Sequence, residues 1–298
     1  MPPRKGHLEN IRAAYEAVKS KCDHDYLAES TATAIYHLVK ISFDFLTSEC
    51  QQVGLVSRVT GKEYFSFCQK DNPRIVSRPA NRRYWIDSDA VINQWNAWLN
   101  GRLGQELSSR ISYTAALAPC LAMELFDRQN KKGPATYFEC FIGHIFARAI
   151  GVNPRKKASL NIAGRTVRLT MDFLFEPANG VKVHLPVKMS TRERVVQAWA
   201  HQRILDGAFG QNIYKGIMVL FSETKLDSRS HEVVEICVPD QWLAYQTLLS
   251  KIERIYYFDI PARYQALAIS HPSLIQIKQF GEFFTEKAAI FRPQTASQ

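Results

Sequence analysis

The stretch Val167–Leu205, VRLTMDFLFEPANGVKVHLPVKMSTRERVVQAWAHQRIL, restricts the possible folds more than any other part of the chain. It reads as strand, turn, strand and helix. Asn179-Gly180 is a favoured hairpin dipeptide, because a tight hairpin turn needs residues that tolerate positive φ. The strand before the turn carries an acid, Asp172, and the strand after it ends on Lys188. Pairing about residues 179–180 brings these two, 16 positions apart, to one end of a sheet. Pro186 has no amide donor, so it predicts an edge or an irregular point beside a site. The helix that follows opens on a dense polar triplet, Arg192, Glu193 and Arg194.

Upstream, residues 8–50 place apolar side chains three and four apart and predict two helices, with Ser30 as the N-cap of the second. Gly54, Gly61, Pro73 and Pro79 break any such pattern, and residues 51–83 are expected to be irregular. The segment RPANRRYW at 78–85 mixes Arg82 and Arg83 with Trp85. Such a mixture suits backbone contact and stacking on a base; a solvated loop anchored by Trp85 is the competing reading. A helix is predicted over 86–103, capped by Asp87 or Ser88, with Trp95 and Trp98 in the core. Another is predicted around Pro119. The next spans 130–151, with Gly133-Pro134 at its start and Gly151 where a C′ glycine belongs. Its interior is apolar except for Glu139 and His144. A lone carboxylate among Tyr137, Phe138, Phe141 and Ile142 is costly to bury, so Glu139 either faces a site or turns to solvent.

After residue 160 strands and helices alternate. Ala163-Gly164 marks a hairpin, and the apolar YKGIMVLFSE has the composition of a strand buried on both faces. This order predicts a single α/β domain with a mixed central sheet flanked by helices. Residues 1–125 are mainly helical, residues 126–298 form the α/β core, and RPQTASQ is a frayed tail.

The balance of 38 Lys and Arg against 28 Asp and Glu leaves a formal charge of +10, which favours a polyanionic partner, most simply nucleic acid. The charge is clustered at Arg74-Arg78-Arg82-Arg83, Lys131-Lys132, Arg155-Lys156-Lys157 and Arg192-Arg194. Six cysteines without a CxxC pair argue against structural zinc and against a disulfide framework. No apolar run reaches the ~18 residues that a bilayer requires. The start, MPPRKGHLEN, lacks the apolar segment of a secretory signal, so a cytoplasmic protein is expected.

An acid and a lysine side by side on paired strands suit metal-dependent phosphodiester hydrolysis. That reaction needs a cation to neutralise charge, an activated water and a held phosphate. Carboxylates offer the hard oxygen ligands that Mg²⁺ prefers, and a lysine can stabilise the phosphate as it is attacked. Any single acid–lysine pair is more often an ordinary strand-end contact, so the whole constellation carries the argument. Glu139 lies in a helix, Asp172 follows it by 33 residues on a strand, Lys188 ends the next strand, and KMSTRER runs from that lysine. This arrangement resembles the PD-(D/E)xK restriction endonucleases, in particular the branch that cuts around CCGG, CCNGG or CCWGG cores. The resemblance covers about residues 130–210.

The resemblance implies a prokaryotic, Mg²⁺-dependent type II enzyme. Asp172 and Glu139 would bind metal, and Lys188 would act on the attacking water and phosphate. Residues 1–125 would serve DNA binding and dimerisation, and 126–298 catalysis. In that branch the usual glutamate has moved from the strand to the following helix. Here Pro186 occupies the strand position, and His201, 13 residues after Lys188, stands where the displaced glutamate is expected. His201 is therefore the fourth candidate catalytic residue, with altered metal dependence because imidazole is a softer ligand. Glu176 is a spare acid.

Arg192, Glu193 and Arg194 would read C:G pairs, since arginine matches guanine O6 and N7 and glutamate accepts from cytosine N4. The competing reading is a capping box, Ser190-x-x-Glu193, with the arginines solvated. A palindromic target, with a CCGG or CCNGG core that a flanking T and A would extend to TCCNGGA, implies a homodimer on double-stranded DNA. A cognate DNA methyltransferase is expected in the same system. Trp85, with Arg82 or Arg83, is the candidate for stacking an extruded central base. Arg128 or Gln129 is the candidate for the minor groove. The rival readings are a non-catalytic DNA-binding protein on the same fold and a repair-type nuclease.

Overall fold

The apolar runs of the C-terminal half pair into one seven-stranded mixed sheet. A computed structural model of the chain describes residues 4–127, 132–178, 180–191 and 195–291. The sheet comprises β5 (Arg155–Ile162), β6 (Arg165–Phe175), β7 (Lys182–His184), β8 (Val187–Lys188), β9 (Tyr214–Leu220), β12 (Arg254–Tyr257) and β13 (Ile277–Gln279). Its order is β13-β12-β9-β7-β6-β5, with β8 also paired to β9, while β10 (Thr224–Leu226) and β11 (Val233–Glu235) pair separately. Strands β7, β8, β9, β12 and β13 run parallel, β6 runs antiparallel to them, and β5, antiparallel to β6, again runs in their direction.

Helices cover both faces. Phe173, Phe175, Val183, Leu185, Val187, Ile217 and Val219 share a core with α4 (Gln105–Phe126) and α5 (Lys132–Ile150). Met218, Leu220 and Tyr257 meet Trp199 of α6 (Val195–Phe209) and Trp242 of α7 (Pro239–Leu248) on the other face. Strand β9 is buried along almost its whole length, as a strand covered on both sides must be. The α/β sandwich expected from the order of elements is the fold found.

The N-terminal part adds α1 (Arg4–His24), α2 (Glu29–Ser48) and α3 (Ser88–Leu99), with Trp95 and Trp98 buried as predicted. Two expectations for this part fail. Ser30 lies inside the first turn of α2, whose N-cap is Ala28. Residues 51–83 are not irregular: β1 (Cys50–Leu55), β2 (Tyr64–Gln69), β3 (Asn72–Val76) and β4 (Ala80–Asn81) form an antiparallel sheet. The breakers sit where such a sheet tolerates them. Gly61 takes φ 74° in the turn before β2, and Pro73 lies exposed on the edge strand β3.

A buried polar network fastens this small sheet to the main one. Lys62 donates to Glu235 (2.7 Å) and to Asp259 (2.8 Å), the latter just past the end of β12. Tyr64 and Asn81 donate to the same Asp259 at 2.9 and 3.1 Å. All six cysteines are buried.

Candidate active site

The site lies where β6, β8 and α5 meet, at the C-terminal end of the parallel strands. Between the pairs Lys157↔Thr170 and Arg155↔Leu174, β6 spans more residues than β5. The surplus makes a bulge at Asp172, and bulges commonly re-aim a side chain near a site. The Asp172 carboxylate replaces a ladder bond: it accepts from the Val187 amide at 2.9 Å. Lys188 donates to both of its oxygens, at 2.9 and 2.7 Å. Pro186 is the irregular point the sequence suggested, but within the sheet and not at an edge. It separates β7 from β8 while both keep one register on β9.

Glu139 comes from α5. It is mostly buried and accepts no hydrogen bond from the described residues. Burial and the neighbouring charge of Asp172 push its carboxyl up to about 7, against the weaker pull of Lys188 and Lys156. Its approach to β6 depends on Gly143, one helical turn later. A Cβ there would lie 2.6 Å from the Tyr26 ring and 2.8 Å from the Phe173 ring, so only glycine lets the helix come this close. Phe173 adjoins Asp172 in the chain.

On the other face of the sheet, α6 brings His201 within electrostatic reach of the pair. Burial holds its imidazole below the ordinary value; Asp172 opposes the shift and Lys188 adds to it. Its ring centre is 6.2 Å from that of His184, which is fully buried. His184 Nδ1 is 3.0 Å from Gln202 Oε1 and so carries the proton. Burial drives His184 down to about 4. Among the described residues, no group of three or more His, Cys, Asp or Glu side chains is close enough to hold a metal ion. The spare acid, Glu176, is occupied: it accepts from Arg155 at 2.7 Å and from the Tyr214 hydroxyl.

Past Lys188 the chain is tied down by Glu223, an acid with 0% exposure beyond the end of β9. Its carboxylate accepts from the Thr191 amide (2.9 Å), the Thr191 hydroxyl (2.7 Å) and the Tyr257 hydroxyl (2.8 Å). The triplet Arg192, Glu193 and Arg194 lies outside the described residues, as do Arg128, Gln129, Asn179 and the tail from 292.

Arg82 and Arg83 are exposed on the loop after β4, whose Asn81 is held by Asp259. Arg82 sits 5.2 Å over the Phe65 ring. Trp85 packs 5.6, 5.8 and 5.4 Å from Phe43, Phe65 and Phe67, the arrangement of a loop anchor.

The sequence reading passed over His184, Gly143 and Glu223. Each had a faint signal: a histidine on a buried strand, a glycine four after the lone helix acid, and an acid closing an apolar strand.

No family model matches the sequence, and no curated protein matches it. A solved structure does: the type IIP restriction endonuclease Kpn2I, with TM-score 0.79 and 23% identity, over 96% of this chain and 99% of that one. The chain has the fold of a restriction endonuclease. Both the N-terminal helices and the α/β core fall within the matched region. In this fold Asp172, Lys188 and Glu139 lie on a single edge, which the N-terminal loop bearing Arg82 and Arg83 joins through Asp259.

Proposed function

We propose that the chain is a type II restriction endonuclease that hydrolyses double-stranded DNA at a specific palindromic site. One observation carries this most directly: Lys188 is bonded to both oxygens of Asp172 while Glu139, beside them, is raised to about 7. Like-charged carboxylates held together at a lysine suit a centre that binds a cation and a phosphate, because each anion gains from added positive charge. The likeness to Kpn2I supports the same reading.

Mg²⁺ fits the donors present, since it takes one or two carboxylates and fills its remaining positions with water and substrate oxygens. Asp172 and Glu139 would hold it, and it would supply positive charge to the phosphate and acidify water. The protein's own groups divide the work. Asp172 fixes Lys188 through paired hydrogen bonds. Lys188 stabilises the phosphate under attack and orients the water. His201, largely neutral at pH 7 because burial lowers its pKa, is available to accept a proton from that water.

Within this reading the target contains CCGG or CCNGG, TCCNGGA being the longest form considered. KMSTRER supports that finer assignment, with Arg192, Glu193 and Arg194 reading C:G pairs. The enzyme would act as a homodimer in the cytoplasm, protected by a cognate methyltransferase.

The test is incubation of plasmid with the protein, with and without Mg²⁺, followed by run-off sequencing of the ends. Discrete Mg²⁺-dependent bands sharing one sequence are expected. Retardation without cleavage would leave a DNA-binding protein on this fold. Asp172→Ala and Lys188→Ala are expected to abolish cutting and retain specific binding, and full cutting by both would overturn the assignment.

A further inference from the structure

Strands β5 and β6 form a ribbon longer than the sheet it belongs to. Strand β6 is antiparallel to β7, so its first residues run outward past the end of β8, the edge that carries Lys188. From Thr170 to Arg165 the ribbon extends about 17 Å at the usual rise per residue. The turn, Ala163 and Gly164, has φ of 50° and 74°, the positive pair of a tight hairpin.

Its two faces differ. One carries Ala158, Leu160, Leu169, Val167 and Ile162, with Arg165 opposite Ile162 at the tip; Ala158 and Leu160 anchor it in a small core with Met171, Leu174 and Leu205. The other carries Lys157 opposite Thr170, Ser159 opposite Arg168, and Asn161 opposite Thr166, all exposed. Residues 155–170 include five basic side chains and no acid. Arg155 pairs with Glu176 and Lys156 with Asp23. Lys157, Arg165 and Arg168 have no ion-pair partner among the described residues.

We propose that this ribbon is a DNA-binding arm: its polar face lies against double-stranded DNA beside the scissile phosphate, with Lys157 and Arg168 contacting backbone phosphates. The inference rests on the nuclease reading for the position of the duplex. Three points favour DNA as the occupant. The arm leaves the sheet at the edge bearing Asp172 and Lys188. Its unpaired charge is wholly positive, complementary to phosphate. A two-stranded ribbon is also one of the two elements that the major groove admits. A second copy of the chain would instead use the apolar face, where Ile162 and Val167 are 53% and 43% exposed.

The experiment measures anisotropy of a fluorescein-labelled 30-bp duplex in EDTA, titrated with protein at 50–200 mM salt. Each lost phosphate contact lowers the slope of log affinity against log salt by about 0.9. The double variant Lys157→Ala/Arg168→Ala is expected to lower the slope by about 2 and to weaken binding equally for any duplex sequence. The pair Arg203→Ala/Lys251→Ala, beside the roughly 750 Å³ cavity at the opposite edge of the sheet, should keep the wild-type slope. An unchanged slope for Lys157→Ala/Arg168→Ala overturns the proposal. So does an unchanged slope together with a loss of oligomer mass in Ile162→Ser/Val167→Ser, which would assign the ribbon to self-contact. A plasmid digest of the same proteins keeps the two readings apart: a wild type that never cuts refutes the nuclease, while the slope still reports on the arm.

Discussion

Replacing Glu139 by glutamine should stabilise the metal-free protein while abolishing its activity. The carboxyl is raised from an ordinary value near 4.5 to about 7, first by burial and then by Asp172. The folded state therefore binds a proton more tightly than the unfolded state. Between those two values the folded chain holds more protons, so its stability falls as pH rises through that window. Glutamine mimics the protonated acid at every pH and escapes the loss. At 1.36 kcal/mol per pH unit, the gap at pH 8 reaches about 3 kcal/mol as an upper bound. With an unfolding entropy of about 0.6 kcal/mol/K for a chain of this size, that is roughly 5 °C in Tm.

The assay is urea unfolding of wild type and Glu139→Gln in EDTA at pH 4.5, 6 and 8. The difference should be near zero at the lowest pH, grow through pH 6, and level off above pH 7. Adding Mg²⁺ at pH 8 should narrow it, because the cation binds only the folded wild-type carboxylates. A variant equal to or less stable than wild type at pH 8 would refute the reasoning, as would a difference that does not vary with pH. Either result would mean that Glu139 carries no desolvation cost and does not share a site with Asp172.

Other substitutions probe the framework. Gly143→Ala must push α5 away from Tyr26 and Phe173; the overpacking should cost about 1–3 kcal/mol in urea unfolding and lower cleavage more than DNA retention. Lys62→Met leaves Glu235 and Asp259 facing each other without their lysine, and a loss of about 3–5 kcal/mol is expected for a broken buried pair, read by thermal unfolding. Thr191→Val removes one of the bonds to Glu223, and about 1 kcal/mol of stability should go with it. If Glu223 directs the chain beyond Lys188, that variant should also lose discrimination between duplexes in a retardation assay.

The fold could be read because its signals are local. Strand β6 pairs antiparallel with β7 across a connection of residues 176–181, longer than the tight turn expected. The register Leu174↔His184 still centres where the sequence marks a reversal, which fixes the ends of the flanking strands that meet. Glu139 could be read because a lone acid in an apolar helix has few places to go. The small sheet of β1–β4 was missed because Gly54, Gly61, Pro73 and Pro79 look like breakers until pairing puts Pro73 on an edge and Gly61 in a turn. The bulge at Asp172 was beyond reach for another reason. It arises from how β5 pairs with β6, which no pattern within β6 records. Glu223 depends on a still longer connection, since residue 191 meets residue 223 only after α6 crosses over and β9 returns parallel to β8.

That crossover explains how an edge rich in acids presents positive charge. Three adjacent parallel strands, β8, β9 and β12, end at Lys188 or shortly before Glu223 and Asp259. In open α/β sheets the ligand side is the carboxyl end of the strands. The acids there point inward and are engaged: Asp172 holds Lys188 and the Val187 amide, Glu223 holds Thr191 and Tyr257, and Asp259 holds Lys62, Tyr64 and Asn81. What remains outward includes Arg82, Arg83, Lys157, Arg165 and Arg168, all exposed. At this edge these three carboxylates are thus engaged within the protein while the five cations face outward. A surface arranged in this way raises the local concentration of a polyanion before any base is read. Association with DNA should accordingly slow as salt rises, even in variants that have lost Asp172.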